Sequence, residues 1–141
     1  MKEKHRNFLI YWMPVVCYCV MIFIQSAYPA MSQLSDMPFG DKYLHVLGYA
    51  ILGFLFFRAF RSLRFRDRLF LAFLLSITAS TGYGISDEIH QHFVPYRTAD
   101  VVDALADMVG SCIGAAAYFL FMEKYDIFPK YAWVDELRQY L

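Results

Sequence analysis

LFLAFLLSITASTGYGI, residues 69–85, runs directly into SDEIHQHFVPYRTADVVD, residues 86–103. The first segment carries no charge and approaches the roughly 20 apolar residues that cross a bilayer as a helix. It also lacks the charged face, repeating every 3.6 residues, that a surface helix of a soluble protein shows. The second segment holds Asp87, Glu88, Arg97, Asp100 and Asp103, too polar to cross lipid. A spanning helix that ends in a polar turn and re-enters as another helix is the unit from which the chain is built.

Working outward, three further stretches repeat the apolar signature: 8–24, 43–57 and 104–122. Hydrophobic residues make up 59% of the 141 and charged residues 18%. An average soluble domain is about half apolar and a quarter charged, so the excess matters chiefly because it is gathered in blocks. The expected fold is all-α: one polytopic membrane domain over 1–141, a four-helix transmembrane bundle. Its spans fall at about 8–25, 43–60, 69–86 and 100–122, with a tail at 123–141. Lys2, Lys4 and Arg6 before the first apolar run resemble the start of a signal peptide. That run is longer than a usual signal core, and Tyr28 stands where a cleavage site wants a small residue, so an uncleaved first helix is expected.

Charge sets the expected orientation. Lys2, Lys4 and Arg6, then Arg58, Arg61, Arg64, Arg66 and Arg68, then Lys124, Lys130 and Arg138 all fall on one side of a four-span arrangement. The opposite side keeps Lys42 and Arg97. The positive-inside rule places the basic side, with both termini, in the cytoplasm. The acids Asp36, Asp41, Asp87, Glu88, Asp100, Asp103 and Asp107 lie on or near the outer side. The net charge is zero, so no overall field draws a nucleic acid. Cys17, Cys19 and Cys112 sit in apolar blocks and read as small buried hydrophobes.

Small residues suggest how the helices meet. Ala72, Ser76, Ser80 and Gly84 recur every fourth residue, and Gly110-Ser-Cys-Ile-Gly114 is a GxxxG. Such stripes let helix backbones approach closely in lipid, so the third and fourth helices are expected to pair, with Ser80 and Gly84 against Gly110 and Gly114. Asp41 is placed to cap the second helix, and Thr98 or Asp100 to start the fourth.

Three polar clusters converge at the outer side. Asp41, Lys42 and His45 begin the second helix, with Tyr49 one turn further in. Asp87, Glu88, Gln91 and His92 end the third. Arg97, Asp100, Asp103 and Asp107 open the fourth, and the last three share one face. An ionisable group at membrane depth costs about 2.5–3.5 kcal/mol on insertion, so Asp103 and Asp107 must face the bundle interior or water. A purely structural network is one reading, with Lys42 and Arg97 as counter-ions. The acids outnumber those cations, however, so protonation, histidinium, water or a bound cation must supply the balance. His45 with carboxylates allows a divalent cation, but no HExxH-type ligand spacing is present, so no metal and no other cofactor is expected. Ser-His-Asp, Walker and Rossmann patterns are absent.

The run Tyr83-Gly-Ile-Ser-Asp-Glu-Ile-His-Gln-His-Phe-Val-Pro-Tyr-Arg-Thr-Ala-Asp-Val-Val-Asp103, continued by Ala106, Asp107 and Gly110, resembles the VanZ-like family. Asp41-Lys-Tyr-Leu-His45 with Tyr49 resembles a second motif of that family, and Phe23 with Ser26 a weaker third. The resemblance covers roughly 8–122. It implies a four-helix bacterial membrane protein whose namesake is associated with reduced susceptibility to teicoplanin, and polar positions at Asp41, Lys42, His45, Asp87, Glu88, Gln91, Arg97 and Asp103. Tyr96 stands where the family usually has Gly, and Asp107 where it usually has Asn. The function expected from residues and resemblance together is an outward-facing site in the bacterial plasma membrane. It recognises or modifies an envelope lipid or a glycopeptide-like component. A membrane-embedded hydrolase using Glu88 or Asp103 with His45, and a structural or assembly bundle, are the alternatives. Whether the chain catalyses a reaction stays open.

Overall fold

The computed structural model describes residues 2–28, 40–63, 68–95 and 99–125. They form four α-helices: α1 (Lys2–Ala27), α2 (Gly40–Arg61), α3 (Leu69–His92) and α4 (Val101–Tyr125). Within them, Phe8–Ala27, Gly40–Arg61, Leu69–His92 and Val101–Phe121 are each long and apolar enough to cross a membrane. The expected all-α bundle of four spanning helices is therefore observed. α2 starts earlier than the expected 43; α3 continues past its apolar stretch to His92, as expected of the polar cluster that ends it, and carries Asp87, Glu88 and Gln91 on helical backbone. Residues 29–39, 64–67, 96–98 and 126–141 lie outside the described residues, and with them Arg97, Thr98 and most of the expected tail.

The helix ends follow from local chemistry. Asp100 caps α4: its Oδ1 accepts the Val102 N–H at 2.8 Å, and its carbonyl accepts the Asp103 N–H at 3.0 Å. Asp41 lies inside the first turn of α2 and not before it, because the helix begins at Gly40. An acid in that turn still faces the positive end of the helix dipole. Arg58 and Arg61 occupy the last turn of α2, where the dipole favours cations. Pro14 lies within α1 and has no N–H to give, which leaves the Ile10 carbonyl without its usual helical donor. Arg58 Nη1 donates to that carbonyl at 3.4 Å, so a basic residue of α2 compensates a proline of α1.

The closest packing is between α2 and α4, and glycine makes it possible. A Cβ on Gly110 would strike the backbone of Val46. One on Gly114 would strike that of Ala50, and one on Gly53 that of Ser111. The GxxxG of α4 therefore faces α2, not α3 as its spacing suggested. The small stripe of α3 does reach α4, but on another face: Ser80 Oγ lies 2.7 Å from Ser111 Oγ, and Gly84 abuts the Asp107 side chain. One residue turns a helix by about 100°, so Gly110 and Ser111 look toward different neighbours. α4 has two faces of small residues, and each receives one partner.

α1 packs on α2 and α3 through Val15, Tyr49, Leu52 and Ala59 with surrounding aromatics. Tyr83 donates to the Cys19 carbonyl at 2.5 Å, and Tyr18 to the Gly48 carbonyl at 3.2 Å. These bonds give each phenol a partner where lipid offers none. The three cysteines are free, and Cys17 is exposed on the outside of α1, not buried as expected. A second core cluster, Phe57, Ala72, Ala115 and Tyr118, closes the end of the bundle opposite the acids.

Candidate functional site

The up-and-down order of the helices brings the start of α2, the end of α3 and the start of α4 to one end of the bundle. Every residue of the three polar clusters, apart from Arg97, is described there. Lys42 on α2 is the hub. Its ammonium lies 2.5 Å from Asp103 Oδ1, 2.7 Å from Asp100 Oδ2 and 3.1 Å from Asp41 Oδ2. One cation from α2 thus gathers two acids of α4 and one of its own helix. Asp103 is buried while Asp41 is exposed, so the Asp103 contact is the least screened. By proximity in sequence, Arg97 is the natural counter-ion of Asp103; the structure gives Asp103 the lysine of another helix.

One turn deeper, His45 stands between two more carboxylates. Its Nδ1 lies 2.8 Å from Oδ1 of Asp107, whose side chain is wholly buried. Its Nε2 faces Asp103 Oδ2 at 3.9 Å, close enough for attraction and too long for a hydrogen bond. The contact between His45 and Asp107 requires a proton between the two atoms, and crosses from α2 to α4. The Asp107 backbone carbonyl accepts from the Ser111 hydroxyl at 2.7 Å, which ties the acid to the Ser80 contact below it.

α3 supplies the third wall. Glu88 Oε2 accepts the backbone N–H of Asp100 at 2.9 Å, so an acid of α3 holds the residue that caps α4. Gln91 Nε2 donates to Asp87 Oδ2 at 2.9 Å and reaches Glu88 Oε1 at 3.4 Å. Residues three and four apart share a helical face, so this acid-and-amide set is already local to the last turn of α3. Asp87, Glu88 and Gln91 are all buried, which is unusual for such residues unless they are paired. At the edge of the cluster, the Lys42 ammonium and then the Val102 N–H hold the Asp100 carboxyl below the usual carboxylate range.

A family model described as VanZ/LLP1 matches residues 8–122. The chain belongs to the VanZ/LLP1 family. No curated protein and no solved structure matches it. The matched region runs from the first spanning segment to the end of the fourth, so it contains the whole polar end.

In this VanZ/LLP1 member the cluster also draws in groups that sequence reasoning passed over or used only lightly. The Tyr49 ring lies parallel to the His45 ring, with centroids 6.3 Å apart, and its buried hydroxyl has no hydrogen-bond partner among the described residues. Asp107 Oδ2, Asp87 Oδ1 and the Ser26 hydroxyl are likewise buried and unpartnered. His90, absent from the expected site, stacks on Phe23 of α1 with centroids 4.4 Å apart. Its signal was available: it lies between Glu88 and Gln91, and Phe23 belongs to the weak first-helix motif.

His45, Glu88 and Asp107 come from three different helices. Each offers a ligand atom, and the three atoms all lie within 4.8 Å of one another. No two of these residues share a helix, which is why ligand spacing along the chain is silent about them.

Proposed function

We propose that the polar end of this membrane protein faces outward from the bacterial plasma membrane, where it recognises or modifies a cell-envelope component, lipid-linked or glycopeptide-like. The observation that carries the reading is the burial of Asp103, Asp107 and Glu88 beside Lys42 and the half-buried His45, on three helices, with several oxygens left unpartnered among the described residues. A network serving packing alone would be expected to close its own hydrogen bonds, because an unmet buried oxygen costs about 1–3 kcal/mol. Open acceptors beside a fixed ammonium suit a head group that carries both signs of charge. The concentration of basic residues on the opposite side supports the outward orientation, with both termini in the cytoplasm. Membership of the VanZ/LLP1 family fits an envelope role.

Two measurements test it. A topology reporter fused after Arg64 reads cytoplasmic, and one inserted between residues 32 and 37 reads external; the reverse pattern removes the outward site. In a susceptible bacterium, expression of the wild-type chain raises the inhibitory concentration of a glycopeptide antibiotic several-fold. Glu88→Gln loses that effect at equal membrane levels. No change with the wild-type chain counts against the envelope reading.

A second reading, a membrane-embedded hydrolase, rests on the environment of His45. A carboxylate on Nδ1 fixes the ring, and Nε2 and Glu88 are then available for acid and base work. Turnover of a labelled envelope lipid by the purified chain would favour it; stoichiometric binding without turnover favours recognition.

A further inference from the structure

We propose that His45, Glu88 and Asp107 hold one divalent transition-metal ion between α2, α3 and α4. The inference deepens the reading of the polar end as a ligand site, since it names one component of that site. Three lines of geometry and chemistry converge on it.

The first is distance. Ligands about 2.0–2.2 Å from a tetrahedral Zn2+ ion lie about 3.3 Å from one another. The three donor atoms fall within 4.8 Å of one another, and His45 Nδ1 and Asp107 Oδ1 are 2.8 Å apart. Small side-chain adjustments bring all three onto one ion. The ion takes the place of the proton that joins the His45 and Asp107 pair. An imidazole with two carboxylates is a borderline donor set, which suits Zn2+ or Mn2+ better than a hard Ca2+ cage or a thiolate site.

The second is charge. Among the described residues of the polar end, Asp41, Asp87, Glu88, Asp100, Asp103 and Asp107 are acids and Lys42 is the fixed cation. Lys42 is committed to Asp41, Asp100 and Asp103. Asp87, Glu88 and Asp107 are therefore left without that cation; the Gln91 amide meets Asp87, and Glu88 and Asp107, on different helices, have His45 within 4.8 Å. Two carboxylates in a poorly solvated site need more positive charge than one imidazole supplies. A divalent ion matches them.

The third is a polar group outside the acid cluster. Tyr49 follows His45 by one turn on the same face and is only 3% exposed. Its hydroxyl has no hydrogen-bond partner among the described residues. Asp107 Oδ2 is likewise unpartnered, on a side chain with no exposure. A buried phenol ordinarily finds a hydrogen-bond partner, and this one stacks on the His45 ring. An ion, or water on an ion, supplies the partner both oxygens lack.

The test uses the full-length chain in lipid nanodiscs, stripped with a chelator and then offered Zn2+ or Mn2+. Metal analysis after desalting should find one ion per wild-type chain. Glu88→Gln with Asp107→Asn should weaken binding at least 10-fold, whereas Asp67→Asn, an acid of the arginine-rich connection, should bind as wild type. No bound ion, or equal binding by the double variant, overturns the proposal. Should the double variant fail to fold, pulsed electron paramagnetic resonance on the Mn2+-loaded wild-type chain decides. Coupling to imidazole nitrogen that His45→Gln removes supports the site, and a spectrum without nitrogen coupling overturns it. No envelope component is present in these measurements, so their failure leaves the antibiotic-susceptibility test to stand or fall separately.

Discussion

The two ends of the α2, α3 and α4 core are both buried, yet they are held in opposite ways. At one end Phe57 meets Phe73 and Tyr118 edge to face, at centroid distances of 6.1 and 5.2 Å, and Phe54 meets Tyr118 at 4.9 Å. At the other, Lys42 meets Asp103, His45 meets Asp107 and Glu88 accepts the Asp100 N–H, at 2.5, 2.8 and 2.9 Å. Aromatic contacts are additive and forgiving, because many weak dispersion terms survive a change of shape. The polar contacts are directional, and loss of one partner leaves a charge without water to receive it. Lipid also removes much of the hydrophobic reason for burying the rings, since the surroundings are as apolar as the core. The aromatic end therefore rests on fit, and the polar end on pairing. Between them runs the glycine seam of α2 and α4, which both ends share.

The largest effect should come from the seam. Gly114→Leu forces a side chain into the Ala50 backbone, which cannot rotate out of the way. We expect a loss of about 3 kcal/mol, at the upper end for over-packing, with both ends disturbed together. Thermal unfolding monitored by size exclusion should show a lower midpoint. An unchanged midpoint would mean that the two backbones are not in contact.

Next in size is a matched pair that sets one end against the other. Lys42→Met keeps the length of the side chain and removes the charge that Asp103 needs. It should cost about 2 kcal/mol, discounted from a fully buried pair because Lys42 is partly exposed. Phe57→Leu keeps an apolar group at the opposite end and should cost about 1 kcal/mol. Denaturation midpoints of the two variants in the same nanodiscs decide the order. A larger loss for Phe57→Leu would reverse the distinction between the two ends.

The smallest effect belongs to Asp100 at the rim. Its carboxyl is held below the usual range, so it stabilises the fold at neutral pH, and that contribution fades as the pH falls through its lowered value. Asp100→Asn keeps an oxygen for the Val102 N–H while removing the charge from Lys42. The variant should melt slightly below wild type at pH 7, and the gap should close below about pH 4, where ordinary aspartates protonate. A gap that widens on acidification would show that the pairing with Lys42 is not its cause.

The sequence by itself determined the class and the addresses of the helices. Uncharged blocks such as 69–85 leave no alternative to spanning helices, because lipid accepts backbone only when its hydrogen bonds close internally. It also determined which end would be polar, since Asp41, Lys42 and His45, then Asp87, Glu88 and Gln91, then Asp100, Asp103 and Asp107 each abut a span. Asp100 was legible as one of two candidate starts of α4, beside Thr98; the structure shows its carboxylate reaching an N–H two residues on. Only the tertiary structure decided which face met which. Periodicity marks Gly110 and Gly114 as a stripe, but it carries no information about whose backbone lies opposite, and the answer was α2. The same holds for Asp103, paired with Lys42 from 61 residues away in sequence, and for His45, Glu88 and Asp107, one from each of three helices. Spacing along a chain reports only contacts made within one helix. Contacts between helices depend on how rigid rods are rotated about their axes, and that rotation is set by all of their packed faces at once.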